Sequence, residues 1–339
     1  MNTSHQLSMN RLHFVFRLDA GGQFGNGHFM RSMVLCVELL ERGHAVTVLA
    51  QSMPLPLKSL MRERGLVLQD INPASDGLAE LAYIHNEASV DWLVIDHYGI
   101  DAGWESAARP FAAHIMVIDD LANRRHDCDI LVDQNVPNRL QLLYTDLLPQ
   151  QCVQVMGWSN LLARPEFYAK SDEDRSGTLL FLGGGDHSEP LTALIEKLLE
   201  RVDCHPLKVL VSSDYLPMAH WQERLSSGGQ VYCDLRNPAP LYRSAKLAVV
   251  RCGFVSYELA LLGIPAVNIH STPVQAEVAN ALQRMGTGVA LSVDDLSDSE
   301  CLQKALHQAA AMAPKPLNET LRPGAKQVAN LLEKFHEHR

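Results

Sequence analysis

Short apolar runs recur along the chain, each bounded by polar or turn-forming residues and followed by a stretch with helical spacing. In the first half, Leu12–Leu18, Ala45–Ala50, Asp91–Asp96 and His114–Ile118 read as strands. Phe29–Arg42 reads as a helix closed by Gly43. Thr178–Leu182, Leu207–Ser212, Lys246–Val250 and Pro265–Ile269 repeat the pattern in the second half. The runs are near-continuous rather than alternating, which suits parallel strands covered on both faces. Strands alternating with helices in this way predict doubly wound α/β domains.

The alternation weakens between Val136 and Gly177, where Pro137, Pro149, Pro165 and the charged run Ser171–Gly177 lie. This stretch predicts a crossing between two domains. The expected division is a first Rossmann-like domain over 1–157, a crossing over 158–177 and a second Rossmann-like domain over 178–320. A terminal helix over 321–339 is placed to pack back on the first domain.

Composition narrows the classes. The 339 residues are 47% hydrophobic, enough for two packed cores. A net charge of −10 with no basic tract argues against a nucleic-acid partner. No apolar run approaches the roughly 20 residues that span a bilayer. The first ten residues lack the apolar core of a secretory signal, so a cytoplasmic location is expected. The seven cysteines are scattered with no C-x-x-C pair, which suits reduced, packed thiols better than a disulfide frame or zinc site.

Two glycine turns point to a nucleotide. Phe16–His28 and Leu179–Asp186 each run from an apolar strand through glycines toward a helix. Such turns bring backbone N–H groups and a helix N-terminus close to phosphate oxygens. The spacing after Gly21 is not a dinucleotide fingerprint, and the strand ending at Ala50 carries no terminal acid, so NAD is disfavoured. His28 stands at the start of the first helix, where the dipole favours the neutral ring, a usable general base. A capping or packing role for this histidine stays open at this point. Asp96-His97-Tyr98-Gly99 ends a strand, where ligands bind in open α/β sheets. Asp119 and Asp120 are expected to cap their loop and pair with Arg124 or Arg125 rather than hold a metal. In the second half, Arg251-Cys252-Gly253-Phe254 leaves a strand for a helix. Gly253 lets amides face a diphosphate, and Glu258 is placed to accept hydrogen bonds from a ribose diol. Cys252 is read as a packing residue. No H-E-x-x-H, G-x-S-x-G or P-loop string occurs.

Taken in order, Phe16-Arg17-x-Asp19 with Gly25-x-Gly27-His28, Ile95–Gly99, Ile118-Asp119-Asp120, Arg164–Phe167, Gly183–Asp186 and the Glu258 helix resemble the UDP-2,4-diacetamido-2,4,6-trideoxy-β-L-altropyranose hydrolases of pseudaminic acid biosynthesis. The resemblance implies a GT-B architecture with the active site between two Rossmann-like domains. It implies that His28 is the catalytic base acting on water and that the substrate is a UDP-sugar. The binding residues expected on this basis are Arg17, Asp19, Gly27, Tyr98, Arg164, Gly184, Gly253, Phe254, Glu258 and Gln275, with Glu258 on the uridine side. No metal, cofactor or obligatory protein partner is expected. Two departures bear on detail: the phosphate loop carries Cys252-Gly253-Phe254 where small hydroxyl residues are usual, and Val274-Gln275 replaces Asn-Gln. A GT-B glycosyltransferase with the same donor is the alternative. A nucleotide-sugar binding protein and an epimerase are further ones.

Overall fold

The computed structural model describes residues 11–21, 26–135, 140–170, 174–183, 188–211, 218–226, 228–233 and 235–337. Gly184, the one expected binding residue in the second glycine turn, lies outside the described residues, as does Gly25.

The first seven strands are β1 (His13–Leu18), β2 (Ala45–Ala50), β3 (Val67–Asp70), β4 (Trp92–Asp96), β5 (His114–Ile118), β6 (Ile130–Asp133) and β7 (Val153–Met156). They form one sheet in the order β3-β2-β1-β4-β5-β6-β7. The next six are β8 (Thr178–Phe181), β9 (Leu207–Val211), β10 (Gly229–Cys233), β11 (Leu247–Arg251), β12 (Ala266–His270) and β13 (Gly288–Ser292). They form a second sheet in the order β10-β9-β8-β11-β12-β13. Every pairing is parallel. The expectation of two doubly wound α/β domains is borne out.

Alternation along β1 explains why its run is continuous. Phe14, Phe16 and Leu18 enter one apolar cluster, while Val15 enters another on the opposite face. The strands without a clear apolar run, β3, β7, β10 and β13, are the sheet edges. An edge strand need not be buried on both faces, and Val67 and Val153 are exposed.

The chain passes between the domains twice. On the way out, Leu162 packs in the core of the first domain, while Leu161, Ala163 and Phe167 pack in the second. On the way back, the helix Gly324–Glu337 lays Ala325, Val328, Ala329 and Leu332 into the core of the first domain. That spacing is one face of a helix. Burial of a valine or leucine contributes about 1.5–3 kcal/mol each. This outweighs the solvent-reached pair of Glu333 with Arg42 at 2.8 Å, a class worth about 0–1 kcal/mol. Gly324 permits the approach, because a Cβ there would lie 2.2 Å from the Asn160 carbonyl carbon.

Candidate active site

In each sheet the strand order reverses beside the first strand, at β1/β4 and at β8/β11. Open α/β sheets bind ligands at the carboxyl ends of strands on either side of such a reversal. A cavity of about 230 Å³ lies between the domains at these ends. From the first domain, Gly27, His28, Arg31, Tyr98, Asp120, Gln134 and Asn135 line it. Cys252, Gly253, Phe254, Tyr257, Val274, Gln275 and Val278 face them from the second.

His28 lies in the first turn of the helix Gly27–Glu41. Its Nδ1 is 2.5 Å from Asp96 Oδ1, at the end of β4. A carboxylate only accepts, so Nδ1 carries a proton, and in the neutral ring Nε2 is the nitrogen with the lone pair. Asp96 is buried on all sides. Burial works to raise its proton affinity, but Arg31 and His28 hold the carboxyl well below the usual carboxylate range. Arg31 clamps it with both arms, Nε to Oδ2 at 2.8 Å and Nη2 to Oδ1 at 2.6 Å. Ser32 Oγ adds a third donor at 2.8 Å. The Arg31 Nη2 also lies 3.1 Å from His28 Nδ1; both are donors, so each serves Asp96 rather than the other.

The remaining arm of Arg31, Nη1, reaches Asp120 Oδ2 at 2.7 Å. Tyr98 stands between these groups, its ring edge-on to His28 with centroids 4.3 Å apart. Burial and the neighbouring Asp120 carboxylate push its phenol well above the usual range. One guanidinium thus joins the histidine's carboxylate to a second acid at the cavity wall.

Beneath this wall, Tyr144 Oη lies 2.9 Å from Asp119 Oδ2 and 3.1 Å from Asp133 Oδ2. Burial, with Asp120 and Asp119 nearby, pushes the Asp133 carboxyl up to about 7. Asp133 Oδ1 accepts from the amide of Asn135 at 2.9 Å. Asn135 in turn accepts a hydrogen bond from Tyr257 at 2.6 Å, a direct bridge between the domains.

The second wall is different. The helix Phe254–Leu262 begins at Gly253, which has no side chain to cap it. Gly253 and Phe254 line the cavity, so the positive end of the helix dipole lies at this wall, while the Gly253 amide itself donates to Ser256 Oγ at 3.3 Å. The helix Gly27–Glu41 is likewise uncapped by its Asn26 side chain and has no acid in its first turn. By contrast, Thr272 caps the helix Pro273–Arg284 itself. A Cβ on Gly27 or Gly253 would meet no protein atom within 4 Å and would project into open space. Phe254, Val274 and Val278 add apolar surface. Burial pushes the Cys252 thiol up to about 12, which keeps it protonated and makes it a poor nucleophile.

Of the residues expected from sequence, His28, Gly27, Tyr98, Gly253, Phe254 and Gln275 come together around this cavity. Arg17 and Asp19 do not line it. They form a buried pair 3.1 Å apart. Asp19 also accepts from the Gln51 and Ser52 amides at 2.7 and 2.9 Å and faces His97 at 3.1 Å. The alternation of β1 turns Arg17 to the sheet face opposite Leu18. Arg164 and Glu258 lie beside the cavity lining rather than in it. They pair at 3.1 Å, with Arg164 stacked over Phe167 at 4.8 Å. Glu258 is buried, and desolvation outweighs Arg164, raising its carboxyl to about 7. Asp119 pairs with Arg124 at 2.6 Å, as expected for one of the two acids, but Asp120 turns to Arg31.

Sequence reasoning overlooked Arg31, Gln134, Asn135 and Tyr257. For Arg31 the signal was present: it stands three residues after His28, on the same helix face.

No family model matches the chain. It is 27% identical over 252 residues to the UDP-2,4-diacetamido-2,4,6-trideoxy-beta-L-altropyranose hydrolase of Campylobacter jejuni, a match covering 73% of this chain and 88% of that protein. An uncharacterised protein of Methanocaldococcus jannaschii is 21% identical over 277 residues, covering 76% of this chain and 56% of that one. Among solved structures, Acinetobacter baumannii MurG has 14% identity and a TM-score of 0.57, with 95% of this chain and 99% of that chain covered. LpCGTa in complex with UDP has 14% identity and a TM-score of 0.65, covering 96% and 99%. The chain therefore has the GT-B fold, and over most of its length it resembles a UDP-sugar hydrolase.

Proposed function

We propose that this chain is a nucleotide-sugar hydrolase that cleaves a UDP-activated diacetamido-trideoxy sugar at the anomeric carbon. It would serve pseudaminic acid or a related nonulosonic acid pathway. The observation that carries the chemistry is the 2.5 Å bond from His28 Nδ1 to a buried, ionised Asp96. With Nδ1 committed, Nε2 is the basic nitrogen of a ring that lines the cavity. It takes a proton from water as that water attacks the anomeric carbon. Asp96 stabilises the imidazolium that forms. UDP departs from the opposite face, so the centre inverts. The C–O bond of the leaving group breaks as the new one forms, and its electrons go to the diphosphate. The uncapped end of the Phe254 helix offsets that charge with preorganised amides. The likeness to the Campylobacter jejuni hydrolase supports the substrate class.

On this reading Tyr98 contacts the sugar, and Gly253, Phe254 and Gln275 contact the diphosphate side. Glu258, oriented by Arg164, accepts from the ribose. Arg17 and Asp19 act behind the site, bracing the ends of β1 and β2.

A transferase with the same donor would use an acceptor alcohol in place of water. Incubation with UDP-diacetamido sugars and no acceptor separates the two. A proton NMR time course should show UDP and free sugar appearing in equal amounts, with the inverted anomer formed first. Release only after an alcohol is added would establish transfer instead.

A further inference from the structure

We propose that Gln134 is a substrate-contacting residue: its side-chain amide donates a hydrogen bond to an oxygen acceptor on the sugar of the nucleotide-sugar, a hydroxyl or an acetamido carbonyl. This rests on the nucleotide-sugar reading above and adds a donor to the first-domain wall.

Gln134 directly follows β6, at the carboxyl end of the sheet, where ligands bind. Side chains alternate along this strand. Val132 packs in the cluster that receives the helix Gly27–Glu41, and Asp133 turns to Tyr144 in the cluster on the opposite face. Gln134 returns to the first face and lines the cavity together with His28 and Asn135.

The crossing between the domains orients this amide. Its Oε1 accepts from the backbone N–H of Leu162 at 2.9 Å. A backbone N–H can only donate, so the atom facing Leu162 is the oxygen and the nitrogen points elsewhere. Leu162 sits in the first-domain core between Leu161 and Ala163, which pack in the second. That anchor sets the orientation before any ligand arrives. Only 2% of Gln134 is exposed. Its amide nitrogen has no hydrogen-bond partner among the described residues, yet it is not sealed from solvent, and the opening is to the cavity that Gln134 lines. The N–H donors of that nitrogen are therefore fixed and reachable. A ligand oxygen that meets them makes a hydrogen bond that the protein alone leaves unmade.

Neighbouring acceptors are already engaged. Asn135 Oδ1 accepts from Tyr257 at 2.6 Å, and Asp133 Oδ1 accepts from the Asn135 amide at 2.9 Å. Position in the cleft favours the sugar over the diphosphate. Gln134 shares a wall with the imidazole, which on the proposed mechanism faces the anomeric carbon, whereas the diphosphate lies toward the second-domain wall.

The test is calorimetric binding of UDP and of a UDP-diacetamido sugar, with His28→Ala as the reference so that the sugar stays intact. Adding Gln134→Met to that reference should weaken binding of the sugar nucleotide about five- to tenfold, while UDP affinity stays within about twofold. Methionine matches glutamine in length but offers no N–H. It also leaves the Leu162 amide unpaired. Gln134→Glu keeps an oxygen for that amide, and it decides the matter by the same ratio if the methionine variant does not fold. Equal losses for UDP and the sugar nucleotide would put the donor on the diphosphate and overturn the inference. Unchanged affinities for both ligands would overturn the contact outright. Failure of UDP to bind the wild-type protein overturns the nucleotide-sugar reading and this inference with it.

Discussion

The two walls of the cavity are built by different means. On the first-domain side, charged side chains interlock: Arg31 binds Asp96 and Asp120 together, and Asp96 binds His28. On the second-domain side, the lining side chains are uncharged: Tyr257 and Gln275 with Phe254, Val274 and Val278, beside the start of the Phe254 helix. A side-chain network can hold one proton on one atom, which general base chemistry requires. A helix end holds no titrating group, yet it offers a fixed positive potential that an anion can meet in an acidic protein. On the proposed reading, proton transfer falls to one domain and grip on the leaving group to the other.

That division can be broken at its strongest point first. His28→Ala should lower turnover by about 10²–10⁴-fold while UDP affinity stays within about twofold. Single-turnover kinetics alongside calorimetry would measure both. Near-normal turnover would remove the imidazole from the chemistry and collapse the distinction.

Glu258→Ala probes the opposite wall and should have the converse effect. Loss of a charged hydrogen-bond acceptor costs about 1.5–3 kcal/mol, or about 10- to 100-fold in UDP affinity. The bound donor should still turn over at close to the usual rate. An unchanged UDP affinity would take this glutamate off the uridine side.

The smallest effect concerns the acids under the first wall. Asp133 titrates near 7 in the folded chain, well above an ordinary carboxylate. Between about pH 4 and pH 7 the folded protein therefore holds a proton that the unfolded chain has released. Stability from this group is fully present at the acid end and is lost as pH rises through that window. Asn at this position imitates the neutral acid and keeps an oxygen to accept from Tyr144, but has no proton to titrate. Asp133→Asn should flatten the fall in Tm from pH 5 to pH 7.5. A wild-type Tm that rises across the same range would contradict the assignment.

The central strands were legible because burial on both faces demands unbroken apolar runs. The edge strands β3, β7, β10 and β13 were not, because exposure relaxes that demand. His28 was legible because a glycine turn between strand and helix leaves a local mark. Its partner Asp96 lies 68 residues away, and pairing is set by where β4 inserts beside β1. Asp120 was visible as an acid, but its partner depended on which helix face crossed that strand end. Arg17 and Asp19 looked like ligand contacts within a motif, yet the pleat of β1 sends Arg17 to the face away from the cavity.

Local sequence determined the two α/β units, the glycine turns and the placing of a histidine at a helix start, because periodicity and backbone freedom are properties of neighbouring residues. Tertiary structure alone decided that Arg31, Asp96, Asp120 and His28 form one network and that Tyr257 meets Asn135 across the cavity. Those contacts depend on sheet order and on the packing of one domain against the other, which no single segment encodes.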